Sequence, residues 1–376
     1  MSDTLWIRRC IDLARRAEGQ TAPNPMVGAV IVKDGKNIAD GWHRAAGQAH
    51  AEVDALQQLG GKAPNTTMYV NLEPCCHHGR TAPCTDAILA SGISRVVVGM
   101  VDPDKRVQGR GIAILRNAGI TVDVGVEAEA CRQLNTAYLF AKEKGRPLVT
   151  LKAALTLDGR IAAANGESQW ITSPSARAVG HALRHTHDAV LVGSGTLLKD
   201  DPRLNTRLTD TQPCHHALPV VLDTHLRCPV DARILKQDRR PVLYCGEQAT
   251  IQDLNADIVP TPVNGKGQLE LSDVLEDLLQ RGVHRLLVEG GSEVHRSFFE
   301  ADLVDQVELF LAPKILAGGP GWVGGPPLTL EDAPQLTIQS VQQIGSDIHV
   351  IATRRDNYNP LSVITNPVSG NSGSEV

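Results

Sequence analysis

Apolar residues recur at two periods along the chain, and stretches of the two periods alternate. Ile7, Cys10, Ile11 and Ala14 repeat at helical spacing, which predicts a first helix over 4–17. The run 27–33 is β-rich, and Asp34-Gly35 after it is a strong hairpin turn into the next strand. Ala51, Ala55 and Leu59 share one stripe, so 50–59 reads as helix, and 68–72 reads as a strand running into Glu73-Pro74-Cys75. Proline suits the first turn of a helix, so Cys75 is expected at a helix N-terminus. A helix at 84–90, a strand at 96–99, a helix at 112–118, a strand at 121–124 and one long helix over 127–140 follow. Strands alternating with helices indicate an α/β layer domain.

Lys142-Glu143-Lys144-Gly145-Arg146-Pro147 is charged and then broken by glycine and proline, which sets a domain boundary. Beyond it, strands are expected at 148–155, 189–192, 220–223, 242–244, 286–289, 307–311 and 348–353. Helices are expected at 271–280 and 293–301, and Ser173-Pro174 reads as an N-cap followed by proline at the first helical position, opening a helix to about 185. The chain thus divides into 1–145, a second α/β domain over 146–356, and a tail over 357–376 whose Ser, Gly, Asn and Pro content predicts disorder.

Composition narrows the function classes. A chain of 376 residues is comfortable for two domains. Its net charge of −5 argues against a general nucleic-acid binder. No apolar run reaches membrane-spanning length and the N-terminus has no signal core, so a cytoplasmic, reducing setting is expected. There, clustered cysteines point to metal rather than to disulfides. Cys75, Cys76 and Cys84 cluster, whereas Cys10, Cys131, Cys214, Cys228 and Cys245 are scattered and read as structural thiols.

The cluster has a partner upstream in His50-Ala51-Glu52. His-x-Glu followed by Pro-Cys…Cys is the pattern of zinc nucleobase deaminases. Three ligands hold Zn²⁺, whose charge makes hydroxide available near neutral pH. Glu52 would take the proton of that water and deliver it to the ring nitrogen and the leaving ammonia. The two cysteines usually stand two residues apart, whereas Cys75 and Cys84 enclose a loop that also holds Cys76, His77 and His78. Those three are alternative ligands by type. Cys75 and Cys84 are preferred because each adjoins a proline and an expected helix start.

In the second half, Gly193-Ser194-Gly195-Thr196 follows a strand, so its amides can approach a phosphate. Glu289-Gly290-Gly291-Ser292 sits between a strand and a helix, where a helix N-terminus would receive a cofactor pyrophosphate. Neither fits the Gly-x-Gly-x-x-Gly of a Rossmann domain.

The segment 21–28, the His50-Ala51-Glu52 element and Glu73-Pro74-Cys75…Cys84 together resemble the bifunctional deaminase/reductase family of riboflavin biosynthesis. The second half resembles the same family at 152–160, at 166–173 and at Asp200-Asp201-Pro202. The likeness runs over roughly residues 1 to 355, with motifs of both halves in order. Cys76 is a departure, since the family commonly has serine beside the ligand.

The resemblance implies an N-terminal cytidine-deaminase-like α/β/α domain and a C-terminal dihydrofolate-reductase-like α/β domain. It implies zinc-dependent removal of the 2-amino group of a diamino-pyrimidinone ribosylamino 5′-phosphate. NADPH-dependent reduction of the ribosyl group to ribityl follows, with hydride going to the anomeric carbon of an opened, imine-like form. Carried over residue by residue, Glu52 is catalytic and His50, Cys75 and Cys84 bind zinc. Asn24, His43, Lys152, Ser168, Arg184, Leu204, Arg207 and Glu289 contact substrate. His77, His78 and Arg80 are within reach of its phosphate. Ala154, Trp170, Thr196, Asp200, Thr224, Arg227, Gly290, Gly291 and Ser292 fall on the cofactor side, with Thr224 and Arg227 at the ribose 2′-phosphate. A homodimer is expected, with no nucleic-acid and no membrane partner. The alternatives are a zinc deaminase of nucleic-acid bases with an appended binding domain, and a zinc-stabilised interaction protein without catalysis. The first lacks the basic groove or interleaved aromatics it would need. The second leaves the glycine loops of the second half unexplained.

Overall fold

The computed structural model describes residues 2–79, 82–208 and 215–354. Arg80, Cys214 and the tail at 357–376 lie outside the described residues.

The first unit runs α1 (Asp3–Arg15), β1 (Gly28–Lys33), β2 (Lys36–Trp42), α2 (Ala51–Gln57), β3 (Thr67–Leu72), α3 (Cys84–Ser91), β4 (Arg95–Met100), α4 (Arg110–Asn117), β5 (Thr121–Val124), α5 (Ala128–Leu134) and α6 (Thr136–Lys144). Asp34 and Gly35 both take left-handed backbone (φ 50° and 73°), which closes β1 on β2 with the twist a two-residue hairpin needs. The five strands lie in the order β2-β1-β3-β4-β5, antiparallel as far as β3 and parallel from there. Successive side chains point to opposite faces. Ala29, Ile31, Met68, Val70, Val96 and Val98 therefore meet α2, α3 and α4. Val30, Val32, Tyr69 and Val97 meet α1, α5 and α6 on the other side. This is the α/β/α layering expected of the N-terminal half.

The second unit runs β6 (Leu148–Thr156), α7 (Pro174–Thr186), β7 (Ala189–Gly193), α8 (Ser194–Asp200), β8 (Leu218–Leu222), β9 (Val242–Gly246), β10 (Asp257–Thr261), α9 (Leu271–Gln280), β11 (Arg285–Val288), α10 (Ser292–Glu300), β12 (Gln306–Ala312), β13 (Leu336–Ile344) and β14 (Asp347–Arg354). Its nine strands are ordered β10-β9-β8-β7-β11-β6-β12-β14-β13. They are parallel through β12, and β14 and β13 close the sheet antiparallel. One face packs on α9 and α10, the other on α7 and α8. Ser173 caps α7 through its hydroxyl, which accepts from the Ala176 N–H, and Pro174 follows at the first turn as expected. Arg146 is anchored in this unit by a two-pronged pair with Asp305 at 2.6 and 2.8 Å.

The structure departs from expectation in several places, the unexpected helix α8 among them. Cys75 lies in a loop, and it is Pro83 that precedes a helix, capping α3 ahead of Cys84. Strands β10 and β13, both at sheet edges, are additional. Pro260 within β10 is tolerated because an edge strand can spare an N–H. The long helix at 127–140 is two helices broken at Asn135. The break has a cause, since Asn135 Oδ1 accepts from the Met26 N–H at 2.8 Å and its Nδ2 donates to the Met26 carbonyl at 3.0 Å. The side chain substitutes for a paired strand and holds the segment that carries Asn24. Asn135→Ala leaves the buried Met26 N–H without a partner, while the Met26 carbonyl keeps its bond from Asn71 Nδ2 at 3.0 Å, and is expected to lower unfolding stability by about 2 kcal/mol in urea titrations.

Candidate active sites

The first site forms where the start of α2, the loop after β3 and the start of α3 converge. His50 is the N-cap of α2, Glu52 lies in its first turn, Cys75 sits in the loop and Cys84 opens α3. His50 Nδ1 is 3.2 Å from Cys84 Sγ and 3.4 Å from Cys75 Sγ. A tetrahedral zinc with bonds of about 2.0–2.3 Å has ligand–ligand edges of about 3.5 Å, so these donors already stand at the separations zinc requires. Among the described residues these three form a set whose donor atoms all lie within 4.8 Å of one another.

Electrostatics matches that assignment. Cys84 donates to the Cys75 sulfur through both its thiol and its backbone N–H, the latter at 3.3 Å. Cys75 is held well below the usual thiol range and Cys84 is pushed above it. The helix expected to favour the Cys75 thiolate is therefore α3, whose first N–H points at it, and not one that Cys75 itself begins. Glu52 is buried at 3% exposure, and burial pushes its carboxyl up to about 7. It lies against the Cys84 thiol. Asn24 and His43 are brought beside it. His43 Nδ1 is 3.0 Å from the Ala49 carbonyl, which can only accept, so Nε2 accepts from Asn24 Nδ2 at 3.0 Å. Burial keeps this imidazole neutral, and its ring meets His50 edge-on at 5.3 Å.

Cys76 resolves differently. Its thiol donates to the Arg106 carbonyl at 3.6 Å, away from the cluster, and neither His77 nor His78 belongs to the donor set. Cys76→Ser is expected to leave zinc stoichiometry unchanged and deamination within about twofold, as metal analysis and ammonia release would record. Glu73 is a carboxylate whose role the sequence did not reveal. It is buried and accepts from the Asp102, Gly109 and Ile112 N–H groups, so it caps α4 rather than serving chemistry.

The second site is a cavity of about 340 Å³ on the α7 side of the large sheet. Lys152, Ala154, Ser168, Trp170, Arg184, Thr196, Asp200, Arg207, Glu289, Gly290 and Gly291 line it. Glu289 receives two bonds from Arg184, at 2.8 and 2.7 Å, and Lys152 stands 3.9 Å away. Burial opposes ionisation of Glu289, but Arg184 and Lys152 outweigh it and hold the carboxyl far below the usual range. Trp170 is 61% exposed at the mouth, with Arg177 stacked on it at 4.4 Å. His181, three residues before Arg184 on α7, also lines the cavity and meets Arg207 at 3.2 Å. The sequence did not flag it, although helical spacing from Arg184 points to the same face.

Four expected contacts lie outside this lining. Leu204 is buried in the core, with left-handed backbone (φ 54°). Arg227 donates to Ser194 Oγ at the start of α8, and Thr224 contributes its carbonyl to Gly246. Ser292 opens α10 directly after Gly291. The glycines divide by role. A Cβ on Gly193 or Gly290 would strike Val294 of α10 at 2.6 or 2.8 Å, so both serve packing. Gly195 faces open space, and a Cβ on Gly291 would only reach Thr196 Oγ1 at 3.8 Å. The N-terminus of α10 has no side-chain cap, which leaves its first amides for an anionic group such as a dinucleotide pyrophosphate.

Two family models cover these two sites. Residues 1–100 match the cytidine and deoxycytidylate deaminase zinc-binding region, and residues 147–350 match the RibD C-terminal domain. The riboflavin biosynthesis protein RibD of Aquifex aeolicus is 40% identical over 94% of this chain and 98% of its own length.

The chain belongs to the RibD family.

The Escherichia coli riboflavin biosynthesis protein RibD is 38% identical over 93% of this chain and 98% of its own. Among solved structures, Acinetobacter baumannii RibD superposes with a TM-score of 0.86 at 33% identity, covering 94% of this chain and 98% of that one. A Thermotoga maritima relative, described as a diaminohydroxyphosphoribosylaminopyrimidine deaminase and 5-amino-6-(5-phosphoribosylamino)uracil reductase, gives 0.84 at 35% identity with the same coverage. Membership makes this RibD-family chain a bifunctional enzyme of riboflavin biosynthesis, a deaminase and a reductase that act on a small molecule. Zinc and NADPH are its cofactors. Among the described residues, no helix is long and apolar enough to cross a membrane.

Proposed function

We propose that residues 1–145 hydrolytically deaminate a diamino-pyrimidinone ribosylamino 5′-phosphate and that residues 146–356 then reduce its ribosyl group to ribityl. The observation that carries the first step is Glu52, a buried carboxyl beside the His50–Cys75–Cys84 cluster. Zinc held by those three residues supplies the Lewis acidity that makes water a nucleophile near neutral pH. Glu52 takes one proton of that water and passes it to the ring nitrogen, and then carries the second, from the added hydroxyl, to the departing amine. A carboxyl poised near neutrality is suited to both transfers. The Asn24–His43 pair borders the ring, with Asn24 Oδ1 left to accept from it.

In the second step the bound NADPH would supply the hydride that the anomeric carbon of the opened sugar accepts. Arg207 and Ser168 hold the substrate phosphate, Arg207 through its rigid donor fork. Lys152 and Glu289, 3.9 Å apart, orient the sugar chain, and Lys152 is the proton-bearing group nearest it. Thr196, Gly290, Gly291 and Ser292 face the cofactor phosphates. Trp170, Ala154 and Asp200 border its reactive end, and Thr224 and Arg227 take the 2′-phosphate end. Leu204 contributes backbone only, since its side chain is buried.

The enzyme works in the cytoplasm as a homodimer. The edge strand β13 supports the second point, because Ile338 and Val341 on it are 65% and 58% exposed. Sedimentation at micromolar concentration tests it, and a monomer would count against it. For the reactions, purified zinc-replete protein is given the diamino-pyrimidinone substrate alone, then NADPH. Ammonia release before NADPH and NADPH oxidation after it are expected. Neither signal appearing would overturn the reading.

A further inference from the structure

Lys152 has a second carboxylate beside it. In the parallel pairing of β6 with β12, Glu308 stands opposite Lys152 and Phe310 opposite Ala154. Residues paired across adjacent strands project to the same face about 4.8 Å apart. The Lys152 ammonium nevertheless stands in the reductase cavity, 3.9 Å from Glu289. Both oxygens of Glu308 are engaged elsewhere. Oε1 accepts from Gln306 Nε2 at 2.7 Å, and Oε2 accepts from His349 Nε2 at 2.9 Å. All three residues are buried, Glu308 at 2% exposure and His349 at 5%. The His349 ring also stacks on Phe310, with centroids 4.3 Å apart and planes 8° apart. The Phe310 ring lies 5.9 Å from Lys152 Nζ. On the other side Gly180 of α7 leaves the ammonium room, since a Cβ there would stand 3.6 Å from Nζ.

We infer that the Gln306–Glu308–His349 cluster positions Lys152 for reduction, by engaging a neighbouring carboxylate that would otherwise draw the ammonium out of the cavity. His349 acts twice, holding Glu308 through its N–H and bracing Phe310 beneath Lys152 through its ring face. None of the three residues lines the cavity; the cluster acts through Lys152. The inference rests on the reading of Lys152 as a group that orients the reductase substrate.

The logic predicts a pattern across variants. In His349→Leu the Glu308 carboxylate loses a partner and captures Lys152. Reductase kcat is expected to fall by about 100-fold, the cost of a displaced group of this kind, while KM for NADPH stays unchanged. His349→Gln, which restores an N–H near the Nε2 position, is expected to recover most of the rate. In Glu308→Leu/His349→Leu the competing carboxylate is gone, and turnover is expected to return to within about tenfold of the parent. A purely structural role predicts the opposite order, with the double variant worse than the single one. The unchanged KM for NADPH in the same preparations reports that the reductase unit is folded. If His349→Leu is insoluble, Gln306→Leu removes the other bond to the same carboxylate and carries the same expectation. Lys152→Met separates the two claims. Should it retain full reduction, the reading of Lys152 fails. Should it abolish reduction while His349→Leu and Gln306→Leu do not slow it, or while the double variant fails to recover, the inference alone is overturned.

Discussion

Glu52→Gln is expected to lower the deamination rate by about 1,000-fold while leaving the zinc content intact. The substitution is nearly isosteric at a site with 3% exposure, so it opens no cavity. It leaves the His50, Cys75 and Cys84 donors in place and removes only the capacity to accept and return a proton. A glutamine can hydrogen-bond to water but cannot carry its proton to the departing amine. Reduction is a control within the same molecule, because the NADPH-dependent cavity is built from α7, α8, β6 and the turn before α10. Three measurements decide the matter: ammonia release, zinc per chain by atomic absorption, and NADPH oxidation on substrate deaminated beforehand. Ammonia release at the parental rate with zinc retained would remove Glu52 from the mechanism and leave the cluster as a structural metal knot.

Periodicity revealed most of the fold because nearly every element has one buried face. The hairpin at Asp34-Gly35, the Ser173-Pro174 cap and the run 271–280 carry local signals that match their tertiary setting, and each lies where its pattern predicts. The misses share a physical origin. β13 buries little, so it has no apolar face for a two-residue period to show. The α5–α6 break is dictated by Met26, a residue 109 positions away, through bonds that no local pattern encodes. Pro74 and Pro83 are equivalent in sequence as helix openers. The docking of Glu73 onto α4 ties down the start of the loop that carries Cys75, and Pro83 is left to begin α3. At the first site, residue type and order pointed to His50, Glu52, Cys75 and Cys84, which the structure brings together. They were not enough for Cys76, whose thiol is turned aside by the Arg106 carbonyl. The sequence also could not show that Glu308 stands beside Lys152, which depends on a strand register between segments about 150 residues apart.

The largest effect expected on the reductase side is that of Glu289→Leu. Glu289 is the carboxylate between two cations, taking both prongs of Arg184 and standing 3.9 Å from Lys152. Arg207 adds a third cation nearby, whose charge Glu289 also favours. Removing the centre of this arrangement leaves two cations facing each other with little access to water. Breaking one side of a buried pair costs about 3 kcal/mol or more, so the variant should unfold at markedly lower urea while reduction is lost. Charge, rather than volume, is the cause, and the double variant Glu289→Leu/Arg184→Met tests that. It removes both partners, so stability should return while reduction remains absent. The pH dependence has a definite sign. The Glu289 carboxyl is held below its unfolded range, so its stabilisation is complete above that range and disappears as pH falls toward the folded value. The stability gap between parent and Glu289→Leu should therefore be constant near neutrality and narrow in acid. A gap that widens as the pH falls would mean that the cations at this site are not held by Glu289.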